Sequence, residues 1–66
     1  MEILLNGAST TAPSDGTVAQ LLADSGLADR KVAVEVNGTI VPRSMHSNHA
    51  LHEGDRVEIV HALGGG

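Results

Sequence analysis

The sequence predicts an α+β domain in which a mixed β-sheet of about five strands covers a single helix. Two Asn-Gly dipeptides, at residues 6–7 and 37–38, are each flanked by segments with β-strand character. Asn-Gly between such segments is the strongest short-range hairpin signal, because a type I′ turn needs positive φ at both central positions. A short amphipathic segment follows the first hairpin, and an alternating apolar segment at residues 56–61 follows the second. We therefore expect a hairpin, a helix, a second hairpin and a final strand.

The first predicted hairpin joins residues 2–5 to residues 8–12 through Asn6-Gly7. Because successive side chains of a strand point to opposite faces, Ile3 is expected in the core and Leu4 on the outward face. The next residue is a proline, which cannot donate to a strand ladder and so ends the hairpin.

The predicted helix begins with the pattern of a capping box. In this motif the Thr17 hydroxyl accepts from the Gln20 backbone N–H, and the Gln20 side chain reaches back. The helical spacing then gives one narrow apolar stripe, made by Val18, Leu21, Leu22 and Ser25. Gly26 suits the left-handed position after a helix, with Leu27 placed to contact the last turn. A helix of about two and a half turns is too short to persist alone, so it must lie on the sheet.

The second predicted hairpin joins residues 31–36, which are rich in β-branched side chains, to residues 39–41. Residues 43–52 are polar and poorly periodic, so a loop with one turn of 3₁₀ or α-helix is expected there. Met45 and Leu51 are its only large apolar side chains, and we expect both to close the open end of the sheet.

Three histidines lie in this segment at a spacing of three, namely His46, His49 and His52. On a helix this spacing would spread the side chains around the surface, and no carboxylate or cysteine completes a ligand set. We therefore interpret them as surface histidines and expect neither a metal nor another cofactor.

The last predicted strand, residues 56–61, follows a tight turn at residues 53–55. Its alternation places Val57 and Ile59 inward and Val60 outward. Its apolar character is typical of the middle of a sheet. Beside the first strand it would run parallel, which the long intervening crossover allows.

The composition excludes several classes of function. The net charge of −4, with only four Lys and Arg residues, argues against a partner with a phosphate backbone. The absence of Phe, Tyr and Trp removes the stacking platforms used on single-stranded nucleic acid. No apolar run approaches membrane-spanning length, and the first five residues are too short and too acidic for a signal peptide. A soluble, cytoplasmic protein that binds neither nucleic acid nor membrane is expected.

The final strand leads almost directly into the last three residues of the sequence, which are Gly64, Gly65 and Gly66. Glycine lacks a Cβ, so such a segment is narrow and flexible. We expect a domain at residues 1–62 and a flexible tail at residues 63–66, with the Gly66 carboxylate as the reactive group. Terminal glycines taken alone are also typical of a frayed tail. The strand order that precedes them favours the functional interpretation.

The chemistry of a terminal carboxylate requires partner enzymes. A carboxylate is ionised at neutral pH and resists nucleophilic attack. The chain has no glycine-rich phosphate loop before a helix, so activation by ATP must come from outside. It also has no cysteine and therefore no thiol of its own. We therefore expect a chain that is the substrate of other enzymes and is not itself an enzyme.

Five side chains besides the glycines are candidate contacts with those partners. Leu4 and Val60 are expected on the outward face of the sheet and, with Leu63, would form a small apolar docking patch. His61 lies at the root of the tail, where contact with a partner and simple exposure to solvent both stay open. Arg43 either anchors a partner or pins its own loop to a nearby carboxylate.

Three runs of sequence carry a resemblance that extends over the whole chain. They are MEILLNG at residues 1–7, VEVNGTIVPR at residues 34–43 and EGDRVEIV at residues 53–60, together with Gly65-Gly66 at the end. In these runs the chain resembles the ThiS family of sulfur carriers in thiamine biosynthesis, which have the ubiquitin-like β-grasp fold. The second run is the most specific, whereas a terminal diglycine is shared by all ubiquitin-like carriers. The additional Gly64 departs from the pattern and only lengthens the tail.

The resemblance implies a series of reactions at Gly66. An E1-like, ThiF-like adenylating enzyme uses Mg-ATP to form an acyl-adenylate, and sulfur from a cysteine persulfide donor replaces AMP to give a thiocarboxylate. A ThiG-like thiazole synthase then takes the sulfur into the thiazole ring of thiamine.

Three other functions stay open at the level of sequence. A related β-grasp carrier would use the same chemistry in molybdopterin or amino-acid sulfur pathways. A ubiquitin-like modifier would instead join Gly66 to lysine side chains, which isopeptide adducts would reveal. A ligand-binding or RNA-binding β-grasp module is disfavoured by the acidic charge and the missing aromatic residues.

Overall fold

The computed structural model describes residues 1–61. The predicted domain boundary after residue 62 and the predicted tail at residues 63–66 lie outside the described residues. Within residues 1–61 the chain forms five strands, one α-helix and one short 3₁₀ helix. In chain order these are β1 (Glu2–Leu5), β2 (Ala8–Thr11), α1 (Val18–Asp24), β3 (Val32–Val36), β4 (Thr39–Val41), the 3₁₀ helix (Arg43–Met45) and β5 (Arg56–His61).

The five strands form one mixed sheet in the order β2-β1-β5-β3-β4. The last strand of the domain therefore lies in the middle, parallel to β1 on one side and antiparallel to β3 on the other. The prediction that β5 inserts between the two hairpins is confirmed, as is the α+β fold class. This arrangement is the β-grasp fold that the sequence resemblance implied.

Both predicted type I′ turns are present. Asn6 and Gly7 have φ of 50° and 84°, and Asn37 and Gly38 have φ of 52° and 85°. Positive φ at both central positions matches the twist of the flanking strands. The two hairpins therefore have the connections that the Asn-Gly dipeptides predicted.

The start of α1 agrees with the capping-box prediction in one of its two hydrogen bonds. The Thr17 hydroxyl accepts from the backbone N–H of Gln20 at 3.2 Å, as expected. The Gln20 side chain does not reach back, which corrects the prediction. Its Nε2 donates instead to Oδ1 of Asp24 at 2.9 Å, one turn further along the helix. Residues four apart on a helix face each other, and here that contact replaces the reciprocal half of the box.

The end of α1 is a Schellman motif, as the sequence predicted. Gly26 has φ of 74°, and its N–H donates to the Ala23 carbonyl at 3.1 Å. The Leu27 N–H donates to the Leu22 carbonyl at 2.7 Å. These two bonds satisfy carbonyls that the end of a helix otherwise leaves free.

The core joins Val18, Leu21 and Leu22 of α1 to the inner face of the sheet, and Leu51 closes one end. Ser25, the fourth residue of the predicted stripe, is exposed. The largest fully buried side chains of the core are Ile3, Val18, Val34 and Val57. The inward positions predicted for Ile3 of β1 and for Val57 and Ile59 of β5 are confirmed. Met45 is not part of this core, because its side chain is 46% exposed. The prediction that Met45 closes the sheet is therefore wrong, and His46 is the buried neighbour instead.

Candidate functional site

The strand β5 is paired with β3 up to the end of the described chain and with β1 at its beginning. On the β3 side the pairing extends from Val36 with Val57 to Val32 with His61. On the β1 side the backbone pairing covers Leu4 with Arg56 and Leu5 with Val57. The predicted reactive residue Gly66, with Gly64, Gly65 and Leu63, lies outside the described residues. The described part of the site is therefore the anchored strand that precedes them.

Two asparagine side chains attach β5 to the hairpin turns. Asn6 uses its Oδ1 to accept from the Ile59 N–H at 2.8 Å, and its Nδ2 lies 3.4 Å from the Ile59 carbonyl oxygen. Asn37 accepts from the Arg56 N–H at 2.9 Å and donates to Oδ1 of Asp55 at 3.0 Å. Asn37 therefore fixes the beginning of β5, and Asn6 fixes a point near its end.

The outward face of the sheet does not hold the contiguous apolar pair that the sequence suggested. Leu4 and Val60 are 41% and 55% exposed, so both do face outward. Leu4 is level with Arg56, however, whereas Val60 is level with Ala33. Val60 lies four residues further along the sheet, or about 13 Å at the usual rise of a strand. The expected patch is therefore corrected to two separate exposed apolar side chains.

An exposed apolar residue that the sequence reasoning missed is Ile40. It lies on the edge strand β4, level with Glu35 of β3, and its side chain is exposed. The signal was available, because Ile40 alternates with Val41 and only one of the two can face the core. The outer face thus combines scattered apolar side chains with charged ones.

On the same face of the sheet, Glu2 of β1 is hydrogen-bonded to the neighbouring edge strand β2. Its carboxylate accepts hydrogen bonds from the Ser9 hydroxyl and, at 2.7 Å, from the Thr11 hydroxyl. The bond from Ser9 is the larger cause and the bond from Thr11 the next, and together they lower the pKa of Glu2 below its ordinary 4.5. Hydrogen bonds to the ionised form favour that form.

The remaining two candidate contacts lie at different places. His61 is exposed at the end of β5, level with Val32. Arg43 is exposed in the 3₁₀ helix and lines an open pocket of about 200 Å³ between this helix and α1. Within residues 1–61 its guanidinium forms no ion pair with a carboxylate. One of the two roles left open for Arg43 was an ion pair that holds its own loop, and residues 1–61 contain no such ion pair.

A second polar residue that lines this pocket is His46, which is buried at 8% exposure. Its Nε2 lies 3.1 Å from the carbonyl oxygen of Val41, and its own carbonyl accepts from the Ala19 N–H at 3.0 Å. The interpretation of His46 as a surface histidine is therefore wrong. His52 is on the surface, with a side chain 80% exposed, and His49 is half-buried. No group of three potential metal ligands comes together in the described part of the chain.

No helix within residues 1–61 has the length and apolar character needed to cross a membrane.

The whole chain is similar to two kinds of known protein. All 66 residues of the chain align with a thiazole synthase of Paramagnetospirillum magneticum at 42% identity, and the alignment covers 20% of that synthase. The chain thus spans about a fifth of the length of that relative. It is 29% identical to the sulfur carrier protein ThiS of Escherichia coli, and there the match covers both chains completely.

Solved structures and a family model agree with these relatives. The fold matches the crystal structure of the thiamine biosynthesis protein ThiS from Geobacter metallireducens with a TM-score of 0.86 and 30% identity, over the full length of both chains. The model of the ThiS family matches residues 3–66, which is all of the chain except its first two residues. Sequence, topology and family model therefore lead to one assignment, and the chain belongs to the ThiS family.

Proposed function

We propose that this protein is a sulfur carrier whose Gly66 carboxyl group is converted to a thiocarboxylate and donates its sulfur to thiazole synthesis. The main structural support is the position of β5. This strand lies in the middle of the sheet and is paired with β3 up to His61, five residues before Gly66. A rigid body that holds the root of a narrow glycine segment suits delivery of its end group into the active site of another protein.

The first proposed step is activation by an E1-like, ThiF-like adenylating enzyme. The Gly66 carboxylate attacks the α-phosphate of Mg-ATP, releasing pyrophosphate and forming an acyl-adenylate. This step replaces a poor leaving group by AMP, so that the carbonyl becomes open to attack. Glycines at positions 64 to 66 allow close approach, because they have no Cβ.

The second proposed step introduces sulfur from a persulfide donor. The terminal sulfur of a cysteine persulfide attacks the carbonyl of Gly66, AMP leaves, and an acyl disulfide forms. A thiol then reduces the sulfur–sulfur bond, which gives the thiocarboxylate and a new disulfide. The chain itself has no cysteine, so the persulfide and the thiol belong to partners.

The third proposed step is transfer of the sulfur to a ThiG-like thiazole synthase. The relative in P. magneticum is named a thiazole synthase and contains a segment 42% identical to this chain. A carrier-like segment within a protein of that name supports thiazole synthesis over the molybdopterin and amino-acid sulfur pathways. The proposed carrier is a substrate of these enzymes, holds no cofactor of its own and acts in the cytoplasm, where ATP is available.

The surface proposed to bind these partners includes the end of β5 and Arg43. Val60 and His61 are exposed immediately before the terminal segment, so any enzyme that binds Gly66 passes close to them. Leu63, two residues after His61 in the sequence, is a proposed apolar contact, and Leu4 is another one further along the sheet. Arg43 has no carboxylate partner within residues 1–61, which leaves its charge available to an acidic group of a partner.

Intact-mass analysis tests the proposed function directly. The purified chain is incubated with the adenylating enzyme, Mg-ATP, a persulfide donor and a reducing thiol. The expected result is replacement of one oxygen by one sulfur, located at Gly66 by fragmentation. Omission of ATP should leave the mass unchanged. Isopeptide adducts without any thiocarboxylate would contradict the carrier proposal and support a protein modifier.

A further inference from the structure

The Asn6 side chain takes the place of a backbone hydrogen-bonding group at the point where β1 stops. The backbone N–H groups of Leu4 and Asn6 donate to the carbonyls of Asp55 and Val57, at 2.9 and 2.8 Å. A regular parallel ladder would continue with the backbone carbonyl of residue 6 accepting from the Ile59 N–H. Because Asn6 has φ of 50°, the chain turns into the hairpin there. Its side-chain Oδ1 accepts from Ile59 instead, at 2.8 Å.

With the longer contact from Asn6 Nδ2 to the Ile59 carbonyl at 3.4 Å, this bond is the last attachment of β5 to the β1 side within the described residues. Beyond Ile59, the pairing of Val60 and His61 is with Ala33 and Val32 on β3 only. The Asn6 bond is partly buried, so water competes with it less than at an exposed site. Removal of the side chain would leave the second half of β5 held from one side.

From this geometry we infer that Asn6 is a positioning residue, which fixes the end of β5, the point from which the chain continues to Gly66, relative to the surface that a partner enzyme binds. The inference rests on the proposed function. Asn6 lies in a turn and has no part in the chemistry, so it acts through Ile59 and the strand. A small displacement of a reacting group lowers the rate of the chemical step more than it lowers binding.

The chain contains a matched control for this inference. Asn37 occupies the same position in the other Asn-Gly turn, with φ of 52° against 50° for Asn6. It also accepts from a backbone N–H of β5, but at Arg56, the first residue of the strand. Replacement of either asparagine by glycine preserves a favourable type I′ turn. Only the Asn6 variant releases the end of β5.

The test compares Asn6→Gly, Asn37→Gly and Asn6→Asp in the full chain. The rate of adenylation by the adenylating enzyme is measured from the release of pyrophosphate. For Asn6→Gly we expect the exchange rate of the Ile59 amide to rise about tenfold through loss of its acceptor. We also expect kcat for adenylation to fall about tenfold, with KM changed less than about twofold. Asn6→Asp keeps an acceptor for the Ile59 N–H but loses the Nδ2 donor that faces the Ile59 carbonyl, so its kcat should lie between those of Asn6→Gly and wild type. Asn37→Gly should lose about as much stability as Asn6→Gly, measured by urea unfolding, but should keep the wild-type kcat.

Two results would overturn the inference. One is an equal loss of kcat in Asn6→Gly and Asn37→Gly, which would mean a general effect of stability. The other is an unchanged kcat in Asn6→Gly. Failure of the wild-type chain to be adenylated is a different result, because it would reject the proposed function itself.

Discussion

At the scale of single residues, Glu2 shows how a surface carboxylate acquires a structural role. It lies on the outer face of β1, and its carboxylate receives hydroxyl hydrogen bonds from Ser9 and Thr11 of β2. These bonds lower its pKa in the folded chain below the ordinary 4.5. A carboxyl group with a lowered pKa stabilises the fold above the pKa of the unfolded chain, and this stabilisation is lost as the pH falls through the folded pKa.

We therefore expect Glu2→Gln to reduce the pH dependence of stability in the acid range. Wild type should lose stability relative to the variant as the pH falls from about 6 to about 3, as measured by urea unfolding across this range. Glu58→Gln is the matched control, because Glu58 lies exposed on the same face with no side-chain hydrogen bond among residues 1–61. Parallel curves for wild type and Glu2→Gln would contradict the expectation.

His46 gives a second prediction at this scale. Its buried ring is bonded to the Val41 carbonyl, and loss of the ring leaves that carbonyl without this partner. His46→Ala should lower the free energy of unfolding by about 1–3 kcal/mol, measured by urea denaturation. His52→Ala, at a side chain 80% exposed, should change it by less than about 0.5 kcal/mol. Equal effects of the two substitutions would be evidence against a structural role for His46.

The burial of His46 was not predictable from its neighbours in sequence. Residues 43–52 have no clear apolar period, so the sequence suggested only that Met45 and Leu51 would pack inward. Leu51 does. The 3₁₀ helix turns the His46 ring toward the Val41 carbonyl and leaves Met45 exposed, and this choice depends on a hydrogen bond that composition does not encode.

At the scale of elements, the end of α1 depends on the conformation of one glycine. Gly26 has φ of 74°, and a Cβ at this position would meet nothing within 4 Å. A side chain at this position would therefore lower the stability through the unfavourable positive φ, and not through a clash with neighbouring atoms.

We expect Gly26→Ala to lower the free energy of unfolding by roughly 1–2 kcal/mol, as measured by urea or thermal denaturation. Ser25→Ala is the control, since Ser25 is also exposed but has φ of −92°, and it should be close to neutral. A Gly26→Ala variant as stable as wild type would indicate that the helix can end differently.

Elements that rest on local rules were predictable, and their mutual register was not. The Asn-Gly turns and the Schellman motif follow from the residues that tolerate positive φ. The parallel register of β1 and β5 brings together residues about fifty positions apart. A shift of two residues would preserve the inward faces of both strands. The sequence pattern therefore fixed which face each side chain occupies but not that Leu4 lies level with Arg56.

At the scale of the whole molecule, the terminal glycines have no side chain to contribute to a hydrophobic core. All buried apolar side chains of residues 1–61 lie between Ile3 and Ile59. The proposed reactive group and the folded body should therefore be separable by mutation.

Deletion of Gly66 should abolish formation of the thiocarboxylate and leave the urea midpoint unchanged. Addition of a peptide tag after Gly66 should have the same effect, because the carboxyl group is then an amide. The same tag placed before Met1 is the control, since an amide nitrogen there can still donate to the Ala12 carbonyl as the Met1 nitrogen does. Thiazole synthesis by the Gly66 deletion would contradict the proposed function.

The central place of β5 also has a consequence for how the protein is made. The two hairpins do not touch each other in the sheet, since β1 and β3 are both neighbours of β5 and not of one another. During synthesis, residues 1–55 can form separate hairpins but not the finished sheet, which waits for the last strand of the domain to arrive. A chain that is cut short before Arg56 therefore lacks the strand that joins the two hairpins into one sheet. Under the proposed function, an enzyme that binds the assembled sheet acts only on chains in which the strand that leads to the glycines is intact.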